Sequence, residues 1–289
     1  MSDLAARLAR LGVGAPAGPA ALPLAERIAR LRVRAAAIQA QRPTDEWLAQ
    51  ALGGRVVAPA LVEVVRSFPL PLGRGATRIE SAAALAEGAR LSAPEHGVAD
   101  AERLLFLDAE TSGLAGGTGT TAFLVGLATV RDETLVVRQL LMTGFNGEPA
   151  LLAQTIAAVT GAHRLITFNG KSFDLPLLRA RARLAELEWP DEPPHLDLLH
   201  VTRRRLREGW PDCRLRTAEA NALGFERVGD LPGSEVPMAW QRWLQHGDCA
   251  PLPKVVDHNR DDLRSLAGLL AVLAHPTRRE APLLHAPPV

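Results

Sequence analysis

The run Leu104-Leu-Phe-Leu107, closed by Asp108-Ala-Glu110-Thr-Ser-Gly113, constrains this chain more than any other stretch. An apolar run of this length reads as a buried strand, and the small residues after it read as a turn. Side chains alternate along a strand with a period of two, so Asp108 and Glu110 emerge on the same face at its end. Two carboxylates held close together repel each other, and each raises the other's pKa. A divalent cation with oxygen ligands relieves that repulsion, which suits Mg²⁺ or Mn²⁺. The plain alternative is a strand end with two solvated acids, and for an isolated pair that alternative is the commoner one.

With 289 residues the chain is long enough for one large or two modest domains. Its 47% apolar and 22% charged residues describe a globular protein rather than a disordered one. No apolar run approaches the length needed to cross a bilayer, so no membrane partner is expected. The formal net charge of +1 means that a nucleic-acid surface would have to be a local patch. Positive charge is almost all arginine, with Lys171 and Lys254 the only lysines. Cys213 and Cys249 stand far apart in no metal-ligand spacing, which fits a reducing compartment without structural zinc. Residues 1–34 are rich in Ala and Arg but lack the apolar core of a secretory signal, so a cytoplasmic location is expected.

Residues 3–13 and 24–41 show helical spacing, separated by a linker over 14–23. Val56-Val57 and Leu61–Val65 form a strand-like pair broken at Pro59. Residues 73–102 show no clear chemistry. Strands are expected over 103–108, 121–130 and 134–142, the last two joined by the turn Arg131-Asp132-Glu133. A helix over 148–160, a strand over 165–168, a helix over 173–187, a strand over 195–199 and a basic helix over 200–208 follow. This order points to an α/β fold with a mixed sheet covered by helices. The expected domains are an N-terminal helical arm and small extension over 1–100, a main domain over 101–275, and a Pro-rich tail over 276–289.

Further acids join the first pair. Asp174 follows the strand at 165–168 and falls in the first turn of the next helix, with Ser172 as the expected N-cap. Near the C-terminus, Asp262 lies on the apolar stripe of a long helix, seven residues after Val255 and four before Leu266. A helix does not turn a carboxylate to its core face without a partner. Asp261 sits about 100° round the same helix and is expected to meet solvent. His258, four residues before Asp262, shares its face. A carboxylate with an imidazole one turn away is an arrangement suited to taking a proton from an activated water.

Taken together, Asp108-x-Glu110, Asn169-x-x-x-x-Asp174 and His258-x-x-x-Asp262 resemble the three exonuclease motifs of the DEDD superfamily, whose fold is ribonuclease H-like. The stretch from Phe106 to Gly126, with Gly116-Gly-Thr-Gly119 after the first motif, is similar to the YprB-like group of predicted bacterial exonucleases. The resemblance covers roughly residues 100–274. It implies a five-stranded mixed sheet flanked by helices, with four acids converging at its centre around two divalent ions, Mg²⁺ or Mn²⁺, ~3.5–4 Å apart. It implies that Asp108 bridges the ions, that Glu110 and Asp262 complete the water-activating site, and that Asp174 holds the second ion through water. His258 is implied as general base, and Thr111, Gly113, Leu114, Asn169 and Lys171 as substrate-facing residues, Leu114 as a wedge against a terminal base. The chain departs from the superfamily in one respect: it places a histidine at the four-residue spacing of the tyrosine branch, and it contains no tyrosine.

Gly117-x-Gly119-x-x-Ala122 mimics a dinucleotide fingerprint, but a strand rather than a helix follows it. Gly170-Lys171-Ser172 mimics the end of a P-loop, but the earlier glycine is replaced by Leu165. Basic runs at Arg179, Arg181, Arg183 and Arg203–Arg207 suit either phosphate contact or solvated helix faces. Asp197 and His200 suit either groups that support the site from behind or strand-end residues without chemistry, the second being the commoner case. The expected activity is a metal-dependent 3′–5′ exonuclease acting on the 3′ end of single-stranded DNA or RNA. Two alternatives stay open: a catalytically weak nucleic-acid-binding module that works with a partner, and a ribonuclease H-like endonuclease.

Overall fold

The computed structural model describes residues 22–30, 33, 42–113 and 119–274. The chain divides into two units, Met1–Arg42 and Pro43–Val289. In the first, residues 24–30 are helical and exposed, with Glu26 and Arg30 paired at 2.8 Å one turn apart. The expected helix over 3–13 and the tail over 276–289 lie outside the described residues.

The second unit opens with helix α1 (Asp45–Ala51), capped by the Thr44 hydroxyl, which accepts from the Trp47 amide at 3.2 Å. Strands β1 (Arg55–Ala58) and β2 (Leu61–Pro69) are the pair expected around Pro59, and Ala60 turns between them at a φ of 55°. The stretch after them, unassigned from sequence, contains the hairpin β3 (Leu72–Arg74) and β4 (Thr77–Ile79) and helix α2 (Ala82–Ser92).

Strand β5 (Leu104–Thr111) is the expected apolar strand with its acids at the end. Strands β6 (Ala122–Arg131) and β7 (Thr134–Met142) form the expected hairpin. Asp132 and Glu133 both hold positive φ, 46° and 53°, the two left-handed residues that a twisted two-residue hairpin turn needs. Glu133 also accepts the Leu70 amide on its carbonyl and caps α2 by accepting the Ala82 amide on its carboxylate.

Helix α3 (Glu148–Gly161), strand β8 (Arg164–Thr167), helix α4 (Asp174–Leu184), strand β9 (His195–Asp197) and helix α5 (Leu198–Arg205) follow within a few residues of expectation. A short helix α6 (Leu215–Ala218) runs into a π-helical turn, Glu219–Leu223. Helix α7 (Val236–His246) and the long α8 (Leu252–Ala274) complete the unit.

Among the described residues, seven strands form one sheet in the order β1-β2-β7-β6-β5-β8-β9. The pairs β5–β8 and β8–β9 are parallel and the others antiparallel. The implied five-stranded mixed sheet is therefore the part β7-β6-β5-β8-β9. The N-terminal extension adds two strands to these five: β2 pairs with β7 from Leu61↔Met142 to Pro69↔Thr134 and carries β1 on its outer edge. The break expected at residue 100 falls inside the second unit, and strands from either side of it share one sheet.

Alternation along β5 assigns the two faces. Leu105 and Leu107 join the core with α3, α4 and α7, where Trp240 and Trp243 hold the Met142 and Thr143 carbonyls through their ring N–H groups at 2.8 and 2.9 Å. Leu104 and Phe106 join the opposite core, under α2 and α8. Those two helices cross so closely that a Cβ on Gly88 would stand 2.3 Å from the Leu270 carbonyl oxygen. Asp108 and Glu110 continue the Leu104/Phe106 face, so they rise beneath α8.

Candidate active site

Asp108 is held by a buried relay across three strands. In register it lies beside Gly126 of β6, and Gly126 lies beside Gln139 of β7. Asn259 of α8 bridges that row. Its Nδ2 donates to Asp108 Oδ2 at 2.8 Å, and its Oδ1 accepts from Gln139 Nε2 at 2.9 Å. Gln139 also donates to the Val256 carbonyl at 2.7 Å, and both amides are fully buried. Room for Asn259 comes from the missing side chain below it, since a Cβ on Gly126 would stand 2.2 Å from Asn259 Oδ1.

The third motif falls where its helical spacing predicts. Ligand atoms of Glu110, His258 and Asp262 all lie within 4.8 Å of one another, each residue half-buried. His258 Nε2 stands 3.8 Å from Asp262 Oδ2, and its Nδ1 stands 2.8 Å from Asp230 Oδ1. Behind them is a buried charge network with no trace in the motifs. Arg227 donates to Asp262 Oδ1 and grips the fully buried Glu219 with two bonds, at 2.8 and 2.6 Å. Glu219 accepts from the Ser265 hydroxyl. Arg74 of β3 donates to the Ser265 oxygen at 3.0 and 2.8 Å and lies 3.5 Å from Glu219. Asp261, expected in solvent, is instead held by Arg74 at 3.3 Å and Arg264 at 3.2 Å.

Asp174 opens α4 as expected, but Ser172 does not cap it. Phe173 occupies the cap position without a side-chain bond, and Ser172 is exposed. The loop before α4 is fixed from β9: Asp197 accepts the Asn169 amide at 2.7 Å, the Lys171 amide at 3.1 Å and the Leu199 amide at 3.1 Å. Of the two readings open for Asp197, these bonds favour the supporting one. Asn169 turns at a φ of 68°, in the left-handed region that asparagine tolerates. Thr111 donates to the Gly113 carbonyl at 3.0 Å, Lys171 is exposed, and Leu114 lies outside the described residues. The ring of Phe173 is 62% exposed beside Asp174, an exposed aromatic that the motif reading passed over.

Burial drives the Asp108 carboxyl well above its ordinary range, and the charges of Asp262, Glu110 and Asp174 drive it further, against the Asn259 bond. Burial with Asp262 pushes Glu110 up to about 8, while His258 and Arg227 pull it back. Burial with Asp197 pushes Asp174 up to about 7. Asp262 is also raised by burial, although Arg227 and His258 oppose the shift. Burial pushes His258 down, but Asp262, Glu110 and Asp230 outweigh it and leave the imidazole above its ordinary value. The four acids thus feel one another and are short of positive charge. Carboxylates with a single imidazole form a donor set suited to a hard or borderline divalent cation, so the residues fit Mg²⁺ or Mn²⁺.

The arginines divide. Arg179 binds Glu192 through two bonds, at 2.6 and 2.5 Å, and Arg181 binds Glu148 in the same way, so both are committed to internal partners. Arg204 and Arg205 donate to the Ser92 and Leu91 carbonyls. Those carbonyls lie near His96 and Gly97, which hold Arg164 at the start of β8. The acids lie at the other end of β5 and β8, so the basic end of α5 is not beside them.

A profile of the RNase_H_2 family, described as RNase_H superfamily, matches residues 105–274. The uncharacterized protein YprB of Bacillus subtilis (strain 168) is 34% identical over 186 residues, 64% of this chain and 44% of YprB. This chain thus spans under half the length of that relative. A family B DNA polymerase from the hyperthermophilic archaeon Pyrobaculum calidifontis superposes with a TM-score of 0.46 at 17% identity, over 78% of this chain and 30% of the polymerase.

Proposed function

From a chain that belongs to the RNase_H_2 family of the RNase H superfamily, we propose a metal-dependent 3′–5′ exonuclease that hydrolyses phosphodiester bonds of single-stranded DNA or RNA. The observation that carries this reading is the convergence of Asp108, Glu110, Asp174 and Asp262, from a strand and two helices, into one electrostatically coupled cluster facing His258. These four carboxylates would hold two divalent ions, Mg²⁺ or Mn²⁺. Bound there, the ions would supply positive charge to the attacking and leaving oxygens of an in-line displacement.

The protein's own side chains do the rest. Asn259 fixes the Asp108 carboxylate, and Arg227 fixes that of Asp262. His258 faces the acids and accepts the proton of the attacking water. Lys171, exposed on the loop before Asp174, meets a backbone phosphate. The exposed Phe173 ring offers a face on which a base can stack, worth ~1–3 kcal/mol in single-strand binders. Thr111, Gly113, Leu114 and Asn169 complete the proposed substrate contacts.

The test incubates the protein with 5′-labelled single-stranded DNA and RNA oligonucleotides in Mg²⁺ and in Mn²⁺, beside Asp108→Ala. A ladder shortening from the 3′ end, absent in the variant, supports the exonuclease and shows which sugar it accepts. Internal cuts would make it an endonuclease. Binding without cleavage in either metal would leave a nucleic-acid-binding module.

A further inference from the structure

The geometry points to Asp230 as a positioning residue that sets the tautomer of His258, an inference that rests on the exonuclease reading above. Asp230 lies in the loop between the π-helical turn and α7, outside all three motifs. Its two carboxylate oxygens stand 2.8 and 3.0 Å from His258 Nδ1. A second neighbour competes for the same nitrogen, since Arg227 Nη1 is 3.4 Å away.

These neighbours demand opposite tautomers. A carboxylate only accepts, so it requires Nδ1–H, whereas a guanidinium only donates, so it requires a bare Nδ1. Both carboxylate contacts are shorter than the guanidinium contact, and Arg227 already has charged acceptors in Glu219 and Asp262. Nδ1 therefore carries the proton and donates it to Asp230. In the neutral ring the other nitrogen, Nε2, stands 3.8 Å from Asp262 Oδ2, beyond hydrogen-bond reach, and is left bare on the side of Asp262 and Glu110, which is the form a proton acceptor must have. Carboxylates that orient an imidazole through its remote nitrogen act in this manner around metal centres.

Asp230 is itself anchored. Arg227 Nη1 lies 3.3 Å from Asp230 Oδ2, and Arg227 is rooted in the buried Glu219, behind which stand Ser265 and Arg74. The arrangement is thus a chain of contacts from the core out to the imidazole. Asp230 acts through His258 rather than on the reacting atoms.

The decisive measurement is the ¹⁵N spectrum of His258 in the metal-free full chain, at an alkaline pH where the imidazole is neutral. The wild-type protein should show the Nδ1–H tautomer. Asp230→Ala should shift it towards Nε2–H, because Arg227 then has Nδ1 to itself, whereas Asp230→Asn should keep Nδ1–H through its amide oxygen. In the cleavage assay Asp230→Ala should lower kcat by ~10–100-fold with little change in KM, and should cost little more in a His258→Ala background. An Nε2–H tautomer in the wild type would overturn the inference, and so would an unchanged tautomer in Asp230→Ala. A kcat loss that persists without His258 would do the same. If the wild type cleaves no oligonucleotide, the exonuclease reading fails, while the spectrum still decides whether Asp230 sets the ring.

Discussion

His258 presents a single nitrogen to the acids, and its distance to Asp262 is set by one turn of α8. If that nitrogen takes the proton of the attacking water, His258→Ala should lower the single-turnover rate by ~10²–10⁴-fold; an unchanged rate removes it from the role. A second residue-scale prediction concerns Gly126. A methyl group there would enter the space of Asn259 Oδ1 and Leu263 Cδ1, 2.2 and 2.7 Å away. Gly126→Ala should cost about 1–3 kcal/mol of stability, measured by urea unfolding. It should also remove turnover, because Asn259 can no longer reach Asp108. The carboxylates and His258 were legible in the sequence because each motif is local. Asn259 was not, although it follows His258 directly: its role depends on a gap in β6 and an amide on β7.

Legibility of the elements followed the same division. Strands β5 to β9 and helices α3, α4 and α8 were readable because their apolar residues repeat with the right period. Residues 209–254 went unassigned, although Val236, Ala239, Trp240 and Trp243 of α7 carry helical spacing. The π-helical turn that supplies Glu219 has no periodic signature, and the loop carrying Arg227 and Asp230 is polar and Gly-containing, so nothing marked either as part of a site. Hairpin β3–β4 gains a purpose only in three dimensions, because Arg74 leaves it to join Ser265, Asp261 and Glu219. Arg74 is almost fully buried, and removing one partner of a buried charge network costs about 3–5 kcal/mol. Glu219 keeps Arg227 and Arg227 keeps Asp262, so Arg74→Met should fall at or below the lower end of that range and change the cleavage rate less than the stability. A variant that unfolds at the wild-type urea midpoint would show that this layer carries no load.

At the scale of the whole molecule, the raised carboxyls tie stability to pH and, on the proposed reading, to metal. Glu110 and Asp174 are raised from ordinary carboxyl values to about 8 and about 7. A carboxyl raised on folding stabilises the native state below its unfolded pKa and loses that contribution as pH rises through its folded value. The metal-free protein should therefore melt at progressively lower temperature between about pH 5 and pH 8. Glu110→Gln should flatten that slope, and a slope unchanged by the substitution would remove Glu110 as its source. A divalent ion binds only the ionised carboxylates, so Mn²⁺ should raise the melting temperature more at pH 8 than at pH 5. Equal stabilisation at both would count against the cluster as the binding site.

The acids are also spread widely along the chain. Asp108 and Glu110 sit on β5, between β6 and β8, whereas Asp262 and His258 arrive only with α8, roughly ninety residues after Asp174. A ribosome extending the chain at about 5–20 residues per second would deliver the first three acids several seconds before the fourth. During that interval the nascent chain has strands that can pair but no completed cluster. Of the described helices α8 is the last in chain order, so on the proposed reading the cluster can act on nucleic acid only once synthesis of α8 is over.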